Sequence, residues 1–180
     1  MGGTCGLSPG PLTTLDPVSA PELHEKLEHL AFLVGEWQGL GVMGYPGVEE
    51  SRYEQEVSFS HDGRPFLAYI SKTWLIDDDG KRIRPSGAET GFWRPGANPR
   101  DVELLVTHPT GIVEISVGEV VFNKIELVTD LLARTQTAKE VTALKRLYGL
   151  VEGDLAYAID MAAMGKPLQA HLSARLQKIS

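Results

Sequence analysis

The sequence predicts an all-β protein, an antiparallel β-barrel of about nine or ten strands with a short N-terminal covering helix. Two observations carry this reading. Turn signals interrupt the chain about every ten residues, at His61-Asp62-Gly63-Arg64, Asp77 to Gly80, Gly96-Ala97-Asn98-Pro99, Pro109-Thr110-Gly111 and Glu152-Gly153-Asp154. Between them apolar side chains recur at spacing two: Val102/Leu104/Val106, Val113/Ile115/Val117, Ile125/Leu127/Leu131 and Leu155/Tyr157/Ile159/Met161. Glu103, Glu114, Ser116, Glu126 and Asp160 take alternate positions, so each strand presents one apolar and one wet face.

Taken in order, residues 1–20 are rich in Gly, Pro, Ser and Thr, and carry too little apolar surface to offset the entropy of ordering them. They are expected to be a flexible tail, leaving residues 21–180 as the folded domain. Pro21 suits a first helical position, and Leu23, Leu27, Leu30 and Val34 at spacings of three and four predict an amphipathic helix over Pro21 to Leu33. The strands follow. A long antiparallel meander removes its exposed edges by closing, and a barrel of this size has room for a small ligand.

Composition narrows the function. Lys and Arg number 17 against 24 Asp and Glu, a formal net charge of -7 with no basic run, which gives nucleic acid no electrostatic footprint. Cys5 is the only cysteine, so there is no disulfide framework, thiolate zinc site or cysteine redox pair, and a reducing compartment fits. The opening residues lack the charged and apolar regions of a signal peptide, and no stretch reaches the roughly 18 apolar residues of a membrane helix. A soluble cytoplasmic protein, partnered by neither nucleic acid nor membrane, is expected.

Catalytic motifs are sparse. There is no Gly-x-Ser-x-Gly elbow, no phosphate-cradling glycine loop and no His-Glu-x-x-His. The histidines, at 24, 29, 61, 108 and 171, lack the close spacing of a zinc site. His24 and His29 fall on the covering helix and His61 and His108 beside turns, where solvent exposure is expected. His171 is open. Leu168, Leu172, Leu176 and Ile179 read as a helical stripe, whereas Leu172, Ala174 and Leu176 alternating with His171, Ser173 and Arg175 read as a strand. By itself the residue favours a satisfied structural role over that of a metal ligand.

The stretch GEWQGLG, Gly35 to Gly41, resembles the Gly-x-Trp-x-Gly-x-Gly signature of the nitrobindins, small β-barrels similar to fatty-acid-binding proteins that hold haem b. Further segments are similar to the family's in the same order: YPG at Tyr45, HDGRPFLAY at His61, AETGFWRP at Ala88, HPTGIVEISVGEV at His108, TAKEVTALKR at Thr137 and MAAMGKPLQAHLSARL at Met161. The resemblance runs from about Leu27 to Lys178 and implies about ten strands, the last of them over residues 168–179. It identifies His171 as the proximal ligand of one haem b per chain, a role in which the second ring nitrogen needs an acceptor. Lys139 is then a partner for a haem propionate or an ordinary solvated lysine, and Met161 and Met164 either line the haem face or pack. Trp37, Gly39 and Gly41 read as structural, a large apolar body beside positions of close backbone approach where the barrel closes.

Two departures from the family stand out. Gly87 occupies the position where a Pro-x-His-x-Glu segment carries a distal histidine, and Gly47 replaces a threonine after Tyr-Pro. Both predict a more open pocket. The function implied is a ferric haem that binds nitrogen oxides such as NO and isomerises peroxynitrite to nitrate, the iron supplying the chemistry for which the sequence carries no protein motif. A non-catalytic carrier of an apolar ligand and a relative that has lost haem remain the alternatives, and a homodimer is left open.

Overall fold

In the computed structural model, which describes residues 21–180, ten antiparallel strands close into a barrel behind a single short helix. The expected tail, residues 1–20 with Cys5, lies outside the described residues. The strands are β1 Gly35–Tyr45, β2 Val48–Ser60, β3 Leu67–Ile76, β4 Arg82–Pro95, β5 Asp101–His108, β6 Ile112–Val121, β7 Lys124–Arg134, β8 Val141–Val151, β9 Asp154–Ala163 and β10 Gln169–Lys178. Each pairs with its neighbours in sequence, and β1 pairs with β10, Trp37 opposite Lys178, to shut the ring. Of the segment 168–179, Gln169–Lys178 is therefore strand rather than helix, and it pairs with β1 to close the ring.

The helix differs from expectation in start and in type. It spans Glu25–Leu33 and is 3₁₀. Leu27, Leu30 and Leu33, three apart, eclipse on one face at three residues per turn and are fully buried. They plug the end of the barrel from which β1 departs, and the Trp37 indole N–H donates to the Leu33 carbonyl at 2.7 Å to fix that plug. Above it Trp37, Phe59, Leu67, Trp93, Leu104, Ile125, Leu155 and Leu176 fill the lower half of the barrel. A Cβ on Gly39 would overlap the Arg175 carbonyl, and one on Gly41 the Tyr53 ring, so both glycines serve the close approach expected of them.

On β6 and β7 the inward faces depart from the alternation expected of them. On β6 the buried residues are Glu114, Ser116 and Val120, while Val113 and Val117 are exposed. The phase is inverted because the Glu114 carboxylate finds a guanidinium inside the barrel. On β7 the register jumps from Ser116–Thr129 to Ile115–Leu131, so Asp130 is an extra residue and Leu131 turns outward, 53% exposed. Among the described residues no helix is long and apolar enough to cross a membrane.

Candidate functional site

The upper half of the barrel encloses a cavity of about 790 Å³ open at the end opposite the helix. That volume lies within the roughly 300–1,000 Å³ of small-molecule and cofactor sites. His171, Lys139, Met161 and Met164, the four residues singled out in the sequence, all line it.

A β-bulge puts His171 there. Strict alternation along β10 would send it outward with Ser173 and Arg175. Ala170 pairs with Asp160 and Leu172 with Ile159, which leaves His171 as the unpaired extra residue between them. Its ring is thereby re-aimed to the cavity side beside Leu172. The Nδ1 atom lies 3.1 Å from the Gly44 carbonyl oxygen. A carbonyl only accepts, so Nδ1 carries the proton and Nε2 keeps its lone pair. Tyr45 braces the ring edge-to-face at 5.8 Å, and its hydroxyl accepts from the Ala163 N–H at 2.9 Å, locking the end of β9. Gly44 itself sits in a second irregularity, where the β1–β2 register shifts between Met43 and Tyr45.

The wall around β4, β5, β6 and β8 carries a charge cluster that no sequence motif announces. Arg146, 1% exposed, donates to both oxygens of Glu114, its Nη2 at 2.7 Å, and to both oxygens of Glu89, its Nη2 at 2.9 Å. Nη1 also donates to the Tyr148 hydroxyl at 3.2 Å. Ser116 donates to Glu114 at 2.6 Å and Tyr69 to Glu89 at 2.8 Å. Burial works to raise the Glu114 carboxyl, but the Arg146 guanidinium outweighs it and holds that carboxyl down at about 2. The same balance places Glu89 below its ordinary value. Burial raises the Tyr148 hydroxyl to about 12.

His108 is half-buried on this wall rather than solvent-exposed. Its Nδ1 faces Glu89 at 3.7 Å and its Nε2 faces Glu114 at 3.6 Å. The other three histidines are not free in solvent either. His24 Nδ1 accepts from the Lys26 N–H at 3.1 Å, His29 Nε2 lies 3.3 Å from the Asp101 carbonyl, and His61 Nδ1 is buried. Gly87 lines the cavity on β4, so the segment in which the distal imidazole is missing does face the pocket, and His108 on adjacent β5 supplies an imidazole beside it. Gly47 has no place on the wall. It occupies the β1–β2 turn at φ +88°, where a threonine would be strained. The sequence did hold a signal for the cluster: in Leu144-Lys145-Arg146-Leu147-Tyr148, Arg146 occupies the inward phase set by Leu144 and Tyr148.

A cavity of cofactor size in a closed ten-stranded barrel, with the His171 imidazole turned into it, defines a ligand-binding barrel. Comparison with known proteins agrees: residues 26–178 match the THAP4-like, heme-binding beta-barrel domain, and the chain belongs to that family. It is 53% identical to a peroxynitrite isomerase of Frankia casuarinae, over 90% of each chain. A ferric nitrobindin-like protein of Kineococcus radiotolerans is 46% identical, over 84% of this chain and 92% of that one. The crystal structure of Rv2717c from M. tuberculosis is 40% identical with a TM-score of 0.79, covering 88% of this chain and all of that one.

Proposed function

We propose that this protein binds one haem b per chain through His171 and, with the iron ferric, binds nitrogen oxides including NO and isomerises peroxynitrite to nitrate. The observation that carries this reading is His171, turned into the cavity by a bulge and held through Nδ1 by the Gly44 carbonyl. The residues fit the cofactor: Nε2 is free to donate to iron, Met43, Ile159, Met161 and Leu172 offer apolar wall, and Lys139 stands exposed at the mouth for a propionate. When bound, haem supplies a Lewis-acidic, redox-active iron toward nitrogen oxides.

The protein's own part is orientation and enclosure. Gly44 and Tyr45 hold the imidazole in one tautomer and one tilt, and the barrel wall limits the approach of water. At the cavity floor the Glu89–Arg146–Glu114 cluster keeps its carboxylates ionised, and His108 lies between them. The carrier reading finds less support. All five N–H donors of Arg146 are taken by Glu89, Glu114 and Tyr148, so no cation at the cavity floor is left for a fatty-acid carboxylate. Use of the single Cys5 fits a reducing compartment, and we place the reaction in the cytoplasm.

The test is a haem titration followed in the visible spectrum, with wild type and His171→Ala compared at matched circular dichroism. Wild type is expected to saturate at one haem per chain with a shifted Soret band, and the variant to lose the histidine-ligated spectrum. Ferric wild type should speed peroxynitrite decay to nitrate in stopped flow, and apo-protein should not. An unchanged spectrum in the variant would overturn the ligand assignment, and equal decay with and without haem would overturn the catalysis.

A further inference from the structure

The cavity is electrically polarised from floor to mouth. At the floor the one cation, Arg146, is consumed by two carboxylates. At the mouth two cations line the cavity, Lys139 and Arg84, both exposed. Arg84 is on the inward face because of the β4 fold. Lys72 pairs with Ala88 but Trp74 with Pro85, so Ser86 and Gly87 together oppose Thr73 and the strand bulges. Beyond the bulge Arg84 pairs with Leu75, which pairs with Tyr53, and all three share the cavity side. Among the described residues its guanidinium meets only a carbonyl, that of Pro85 at 3.3 Å. Among the described residues Glu49 is the one carboxylate on the rim of the cavity, and the two cations outnumber it.

We propose that Arg84 is a second anion-binding residue of the cavity mouth, and that with Lys139 it clamps the two propionate carboxylates of the bound tetrapyrrole. The inference rests on the haem reading above and adds a residue and an orientation to it. An amphiphilic dianion enters apolar edge first, because the floor carries carboxylates and no spare cation while the mouth carries a guanidinium fork suited to a carboxylate. By resemblance, residues 84–89 are notable only for the histidine that Gly87 replaces. The structure gives the same segment a positive contribution.

The experiment uses metal-free protoporphyrin IX, which keeps both propionates but has no iron for His171 to ligate, and its dimethyl ester, which has neither charge. The full chain, purified without haem, is titrated with each at low ionic strength and followed by porphyrin emission. Wild type is expected to bind the diacid more tightly than the diester by about tenfold or more. Arg84→Ala should reduce that preference about tenfold while leaving diester affinity unchanged, and Arg84→Glu should reduce it further. Arg84→Gln, nearly isosteric, repeats the comparison if the alanine variant folds poorly, as judged by circular dichroism. Equal affinity of wild type for both porphyrins, or parallel weakening of both in a folded variant, overturns the clamp. Neither result touches His171, whose assignment stands or falls on the haem spectrum of His171→Ala.

Discussion

At the scale of single residues the buried charge cluster is governed by Arg146. Its removal leaves Glu89 and Glu114 facing each other in the barrel interior with no guanidinium between them. Stranding buried charge in this way costs about 3–5 kcal/mol. Arg146→Met is therefore expected to lose stability of that order at pH 7 in urea denaturation. The deficit should shrink as pH falls toward 4, because the orphaned carboxyls, their values now raised, become neutral. A deficit independent of pH would show that lost packing, not stranded charge, is responsible. This cluster was the part of the site least legible in the sequence. Glu114 and Ser116 sit between Val113, Ile115 and Val117, and local alternation assigns the polar pair to solvent. Only the arrival of Arg146 from β8, far along the chain, reverses the assignment. His108 was misread for the same reason, since a histidine beside Pro109-Thr110-Gly111 looks like turn surface until Glu89 and Glu114 are brought to it.

At the scale of elements the controlling devices are one-residue irregularities. His171 faces the cavity because β10 carries one residue more than β9 at that point. Deleting Ala170 should restore regular pairing, set His171 opposite Asp160 and turn it to solvent. That variant is expected to keep the far-UV spectrum of the barrel and to give a haem spectrum like that of His171→Ala. A wild-type haem spectrum would show that the bulge does not aim the ring. Most strands were readable from turn chemistry, since Asp77–Gly80, Gly96–Pro99, Pro109–Gly111 and Glu152–Gly153 all separate strands as expected. The β6–β7 turn was hidden. Phe122, 95% exposed and at φ 52°, takes a left-handed position without glycine to announce it. Bulges at Asp130 and His171 were equally silent, because an inserted residue changes the phase of a strand without changing its composition.

At the scale of the whole molecule the charge cluster is a tie across the barrel wall. Tyr69, Glu89, His108, Glu114 and Arg146 belong to β3, β4, β5, β6 and β8, so the cluster joins strands that do not all pair with one another. Its loss is therefore a global event. Glu114 stands at 4.5 when unfolded and about 2 in the barrel. Its contribution is complete above pH 4.5 and is withdrawn as pH falls from there to about 2, amounting to about 3 kcal/mol. Glu89, also lowered, acts with the same sign. Urea midpoints are expected to drop steeply between pH 4.5 and 2 with near- and far-UV signals changing together, and Glu114→Gln should flatten that drop. An acid profile identical in the two proteins would remove Glu114 from the account.

The pairing of β1 with β10 also sets an order in time. Trp37 and Lys178 are about 140 residues apart in sequence yet face each other in the ladder. While the chain is being synthesised, β1 has β2 on one side and an unpaired edge on the other until β10 exists, and β9 is an edge as well. The imidazole that serves the cavity is carried by that same late strand. Closure of the wall and arrival of His171 in the cavity are thus one event, and the nascent barrel completes its cavity only as it shuts.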